Sequence, residues 1–226
     1  MSIYSYWGKA KKDPLLEGPD YHLLAYHSLD VAAVGFLLLD PKMSLCQTLA
    51  KQLKVSPEWL QAWFTFCLML HDLGKFCRSF QNLAPNLSPS LVPYDARCCY
   101  SERHDTLGFM LWRKVICQNV KALIPGSYAG PIAKWLEIVC GHHGKPPKIL
   151  LSIKPFLTEN DEQTAEEFVR EVSTHWLPDL APLMAIDKSD FQRVSWQLAG
   201  VAVLADWLGS DQKTFSYRDD VMTLPG

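Results

Sequence analysis

No convincing run of strict polar–apolar alternation occurs in this 226-residue chain, while apolar residues recur at the three- and four-residue spacing of helices. That contrast argues against a sheet-based core and for an all-α single domain spanning residues 1–226. His22 to Asp40 reads as one helix, with Leu23, Tyr26, His27, Asp30 and Val34 near one face. Ser56-Pro57-Glu58 opens a second, Ser56 as N-cap and Pro57 at the first helical position, where its missing N–H costs nothing. It runs through Trp59 to Leu70 and His71-Asp72, and Gly74 punctuates its end. Further helices are expected over Arg103–Val120, Pro131–Cys140, Asp161–Trp176 and Phe191–Leu208, with 82–94 irregular. Trp59, Trp63, Trp112, Trp135 and Trp196 fall at helical positions, and most of them are expected in the core.

Composition removes several classes of function. Hydrophobic residues at 48% and charged residues at 20% exclude intrinsic disorder. Lys and Arg total 22 against 24 Asp and Glu, a net charge of -2, so bulk positive charge does not attract an anionic partner. Affinity for nucleic acid would need a local patch or bound metal. No apolar run approaches the roughly 18 residues of a membrane span, and the polar, aromatic segment Met1 to Lys12 does not resemble a signal peptide. Seven cysteines without a Cys-x-x-Cys pair argue against a zinc ribbon or a disulfide framework, so reduced thiols and a cytoplasmic location are expected.

Several apolar helices carry a histidine or aspartate where a core residue belongs. Asp206 follows Leu-Ala-Gly-Val-Ala-Val-Leu-Ala, His71-Asp72 follows Phe66 to Leu70, His142-His143 follows Ile138 to Cys140, and His27 lies on the face of the first helix. A buried carboxylate is normally paired, protonated or bound to metal. Imidazole and carboxylate donors together suit first-row transition metals better than Mg²⁺ or Ca²⁺. Two ions about 3.5–4 Å apart can bind a phosphate, activate a water and stabilise a leaving oxygen. Two divalent ions on two carboxylates and neutral histidines would also leave a charge of about +2, a local anion trap.

His-Asp-Leu-Gly-Lys-Phe at 71–76 resembles the doublet of the HD metal-dependent phosphohydrolase superfamily. Tyr-Trp-Gly-Lys at 6–9, His-Leu-Leu-Ala-Tyr-His-Ser-Leu-Asp-Val-Ala-Ala-Val at 22–34, Gly-His-His-Gly at 141–144 and Leu-Ala-Asp-Trp-Leu-Gly-Ser at 204–210 narrow the likeness. Together they are similar to the HD nuclease domain of the CRISPR-associated type I helicase-nuclease, most like type I-E, over residues 6–210, with 211–226 as a short tail. The resemblance implies an HD-domain helical bundle and hydrolysis of phosphodiester bonds in single-stranded DNA during CRISPR interference. It implies one ion on His27, His71, Asp72 and Asp206 and a second on Asp72, His104, His142 and His143, with Asp72 bridging. Lys75 would face the scissile phosphate. The ions would be two divalent transition metals (Mn, Co, Ni or Fe, with Mg possible). The partners would be single-stranded DNA, the CRISPR surveillance complex (Cascade) and a superfamily 2 helicase. The chain is taken as a monomer. Asp105 departs from the family, which often has a small residue there. The chain shows no Walker A motif, so ATP-driven processivity would come from a helicase in cis or in trans.

Four secondary readings complete the sequence. Phe80-Gln81 is placed along a strand channel. Lys145, Lys148, Arg78, Arg97 and Arg103 are candidate backbone contacts, with solvated charge as the plainer reading. Ser210 is read as a helix-terminal hydrogen-bonding residue, and His22 and His175 as ordinary histidines. Two other functions stay open on the residues alone: a phosphohydrolase of small or cyclic nucleotides, and a non-catalytic docking module with a vestigial metal site.

Overall fold

The computed structural model describes residues 2–11, 15 and 17–221, so the last five residues of the expected tail, with Met1 and Lys12, lie outside it. The described residues form a helical bundle: α1 (Leu24–Leu38), α2 (Ser44–Leu53), α3 (Pro57–Met69), α4 (Arg78–Gln81), α5 (His104–Leu111), α6 (Cys117–Asn119), α7 (Ala129–Cys140), α8 (Glu159–Trp176), α9 (Ala181–Ala185) and α10 (Lys188–Gly209). Local chemistry sets several boundaries as expected. The Ser56 hydroxyl accepts the Trp59 N–H at 3.1 Å to start α3. Thr158 and Asp161 cap each other's backbone N–H to start α8, two residues before the sequence places it. The helix expected over Arg103–Val120 is continuous but widens into a π turn at Trp112–Ile116.

The structure adds a two-stranded antiparallel sheet, β1 (Trp7–Ala10) paired with β2 (Tyr21–Leu23). His22 and Leu23, expected in the first helix, instead belong to β2. Strands of three and four residues are too short to show an alternating pattern. The pairing has a bulge between Trp7 and Lys9, an irregularity that re-aims side chains.

α1 packs on α3 and α10, α5 lies against the turn Leu73–Phe76 and against α7, and α8 covers α3. The core is continuous across these helices and includes Trp63, Trp112, Trp135, Phe64, Phe66 and Leu198. Trp59 is half-buried and stacks on Trp63 at 5.8 Å. Trp196 is the exception in its group: it is 84% exposed, on the outward face of α10. None of the seven cysteines is in a disulfide, and no helix among the described residues is long and apolar enough to cross a membrane.

Arg78 is also not a surface cation. It is buried, with Nη2 2.9 Å from Asp161 Oδ1, and Asp161 accepts a further bond from Tyr6 at 2.7 Å. This pair fastens α8 to the segment that follows the doublet. Asp161→Asn keeps the shape but removes the charge facing Arg78, and is expected to cost about 2 kcal/mol in urea unfolding, within the range for hydrogen bonds to charged groups.

Candidate metal centre

The ends of four helices meet near the start of α1. α3 stops at Leu70, and His71 turns back so that its Nδ1–H donates to the Leu68 carbonyl at 2.7 Å. α7 stops in the same way, with His142 Nδ1 donating to Val139 at 2.7 Å. Each imidazole is thus held through Nδ1 by a carbonyl of the helix end it follows, and its Nε2 is aimed inward. His104 is the first residue of α5, Asp206 sits in the last turn of α10, and His27 in the first turns of α1.

The seven sequence-selected histidines and aspartates converge. His27, His71, Asp72 and Asp206 offer donor atoms that all lie within 4.8 Å of one another, and so do His104, His142 and His143. Asp72 stands between the two groups. Its Oδ2 is 3.1 Å from Nε2 of both His27 and His71, and its Oδ1 is 3.4 Å from His104 Nε2 and 3.8 Å from His142 Nε2. His104 and His143 bring their Nε2 atoms to 3.0 Å. Tyr100, not singled out from sequence, holds His104: its hydroxyl accepts the His104 backbone N–H and lies 3.2 Å from Nδ1.

Two close approaches bring Asp72 and His104 together. A Cβ on Gly74 would overlap the His104 carbonyl oxygen and lie 2.6 Å from the Gly108 nitrogen, and a Cβ on Gly108 would meet Gly74 as closely. The backbone after the doublet therefore rests directly on the backbone of α5.

The donors fit a cation. Asp72 Oδ1 and His71 Nε2 are buried and make no hydrogen bond. Burial, then the Lys75 charge, lowers His27 to about 4, and burial lowers His142 to about 3. Both imidazoles are therefore neutral at pH 7, as ligation requires. Burial opposes ionisation of Asp72 and Asp206, yet the surrounding histidines and lysines hold both carboxyls well below their ordinary range. His71 behaves differently: burial disfavours its charge, but the two carboxylates outweigh that and raise it to about 9. A proton on His71 thus partly neutralises the cage, and a divalent cation would replace it.

The other candidates separate on geometry. Lys75 is buried, with its ammonium turned inward to Asp72 Oδ2 at 2.6 Å and to the Gly8 carbonyl at 2.8 Å. Phe80 lines the cavity, whereas Gln81 is a brace: its side chain bonds Trp7 N, Trp7 O and Lys75 O at 3.1, 3.0 and 2.7 Å. Asp105 turns away to pair with Arg103 at 2.8 Å, so the departure from the family pattern leaves the cage intact. Arg97 pairs with Asp95, Lys148 with Glu102, and Lys145 is exposed. Ser210 caps α10 and donates to Asp206 Oδ1 at 3.2 Å. His22 accepts from Arg218 N–H and donates to Asp30, and exposed His175 lies outside the cage.

The cage opens to solvent through a cavity of about 540 Å³. Lys9, Lys11 and Lys213 lie along its walls, with the aromatic rings of Trp7, Phe80 and Tyr217.

Residues 7–215 match the family described as Cas3, HD domain. The chain is 30% identical to the CRISPR-associated endonuclease/helicase Cas3 of Escherichia coli (strain K12), over 96% of this chain and 27% of that protein. It therefore spans about a quarter of the curated relative's length. Its fold resembles a chain of a CRISPR RNA-guided surveillance complex in a pre-nicking state, with a TM-score of 0.66 at 24% identity over 94% of this chain and 26% of that one. It also resembles the Thermus thermophilus cas3 HD domain solved in the presence of Ni²⁺, with a TM-score of 0.61 at 20% identity over 96% and 80% of the two chains. By its match over nearly the full length, the chain belongs to the Cas3 HD-domain family.

Proposed function

We propose that this chain is a metal-dependent nuclease that hydrolyses phosphodiester bonds of single-stranded DNA in CRISPR interference. The observation that carries this reading is Asp72, whose two oxygens face two separate groups of donors, one of which, His104, His142 and His143, lines an open cavity with lysines on its walls. We take His27, His71, Asp72 and Asp206 as ligands of one divalent ion, and Asp72, His104, His142 and His143 as ligands of a second. The Thermus relative, solved in the presence of Ni²⁺, supports a transition metal. Mn²⁺, Co²⁺, Ni²⁺ and Fe²⁺ are the candidates, with Mg²⁺ less suited to imidazole.

When bound, such ions supply Lewis acidity to the phosphate and the attacking water. The chain's residues do the rest. His71 and His142, locked by the Leu68 and Val139 carbonyls, present Nε2 without further reorganisation. Lys75 keeps Asp72 ionised and fixed rather than reaching outward. The cavity's mixture of lysines and aromatic rings suits a single strand, whose phosphates and bases need both. The relatives support Cascade as a partner and a superfamily 2 helicase, in cis or in trans, as the source of single strand. Action as a monomer in the cytoplasm belongs to the same reading.

The test is to strip the protein with chelator and restore Mn²⁺, Co²⁺, Ni²⁺, Fe²⁺ or Mg²⁺ singly, offering circular single-stranded DNA and a panel of nucleotides. Cleavage of the circle is expected with at least one transition metal. Intact DNA under every metal, with a mononucleotide dephosphorylated, would assign the small-nucleotide chemistry instead. No hydrolysis of either would leave the docking module. The same add-back should raise Tm. Saturation at about 100-fold over Kd contributes about 2.7 kcal/mol, or about 5–11 °C for a domain of this size.

A further inference from the structure

We propose that Lys9, resting on the nuclease reading above, is the cation that receives the substrate phosphate at the mouth of the cage. Lys75 lines the same cavity, but its side chain is only 4% exposed and its ammonium is anchored to the Gly8 carbonyl as well as to Asp72, so Lys9 is the better placed of the two. Apart from buried Lys75, Lys9 is the lysine of the cavity wall whose ammonium touches the cage, 3.3 Å from Asp206 Oδ1, and its side chain is 25% exposed. Lys11 is tied to the Gly18 carbonyl, and Lys213 is exposed on the 211–217 segment.

The local backbone is built to put Lys9 there. Gly8 lies so close to α1 that a Cβ would stand 3.0 Å from Leu24 Cα and 3.1 Å from His27 Cβ. The bulge between Trp7 and Lys9 then turns the next side chain over the cage. Gln81 clamps the Trp7 N–H and carbonyl, so β1 is fixed to the segment that follows Asp72. A lysine on so constrained a strand is held in position, yet its last carbons remain in the cavity. Once Asp206 is engaged by a cation, the Lys9 ammonium loses its carboxylate partner, and a phosphate oxygen is the anion that replaces it. Lys9 then contributes one charge-assisted contact to the strand.

The experiment measures binding rather than turnover. Mn²⁺-loaded protein is titrated with a fluorescein-labelled phosphorothioate oligothymidylate, which resists hydrolysis, and anisotropy is followed across a salt series. Lys9→Ala is expected to bind about five- to tenfold more weakly at low salt, with a log K against log[salt] slope smaller by about 0.7. Lys9→Arg should restore both. Mn²⁺ affinity, read by calorimetry, should be unchanged or tighter in Lys9→Ala, because a competing cation has left Asp206. An unchanged affinity and slope in Lys9→Ala, beside a wild type that binds, would overturn the role of Lys9 and leave the nuclease reading intact. A parallel tenfold loss of Mn²⁺ affinity would overturn it too, making Lys9 a brace for Asp206. A wild type that binds no strand would bring down both readings.

Discussion

Asp72→Ala is expected to lower DNA hydrolysis by about 10³-fold or more, equivalent to about 4 kcal/mol of transition-state stabilisation. No other side chain among the described residues faces both donor groups, with Oδ2 toward His27 and His71 and Oδ1 toward His104 and His142. The substitution also strands the Lys75 ammonium, which is buried 2.6 Å from Asp72 Oδ2. Loss of one partner of a buried ion pair destabilises, so circular dichroism must show that the variant is folded. Asp72→Asn is the cleaner companion: it keeps size and polarity and removes the anionic oxygen. It too should lose hydrolysis, and the rise in Tm on adding Mn²⁺ should vanish. Near-normal cleavage by a folded Asp72→Asn would refute a shared carboxylate at the centre of the site.

Gly108→Ala is expected to lower stability by at least about 3 kcal/mol, at the upper end of overpacking costs, and Tm by about 6–12 °C. The added methyl meets backbone, not a movable side chain: Gly74 N lies 2.6 Å from the position of the new Cβ. Relief requires α5 to move away from the doublet, which carries His104 away from Asp72, so Mn²⁺ affinity should fall as well. Gly200→Ala is the control. Nothing lies within 4 Å of its added Cβ, and in mid-helix that change should stabilise by about 0.5–1 kcal/mol. A Gly108→Ala protein with wild-type Tm would show that the close approach of the two backbones does not hold the site together.

The helices are legible in the sequence because their ends carry their own chemistry. Ser56 with Pro57 marks a start, and Gly209 closes the long apolar stretch that carries Asp206. α2 and α9 escape such a reading, and the pair β1–β2 is too short to show a period. Trp196 falls at helical spacing yet faces outward, because spacing says which residues share a face and not whether another element covers it.

The candidate site divides along the same line. A histidine or aspartate at the end of an apolar run is anomalous in any sequence, since burying it alone is costly; that anomaly marks His27, His71, Asp72, His142, His143 and Asp206 without any knowledge of the fold, and the family resemblance adds His104. What spacing along one chain does not encode is direction. Only the packing of α1, α5, α7 and α10 around the end of α3 decided which oxygen of Asp72 faces which imidazole. The same packing turned Lys75 inward, buried Arg78 against Asp161 and left Lys9 at the opening. Residue type and local period determined what chemistry the chain could hold; the meeting of distant backbones, set by glycines at 74 and 108, decided where each charge points.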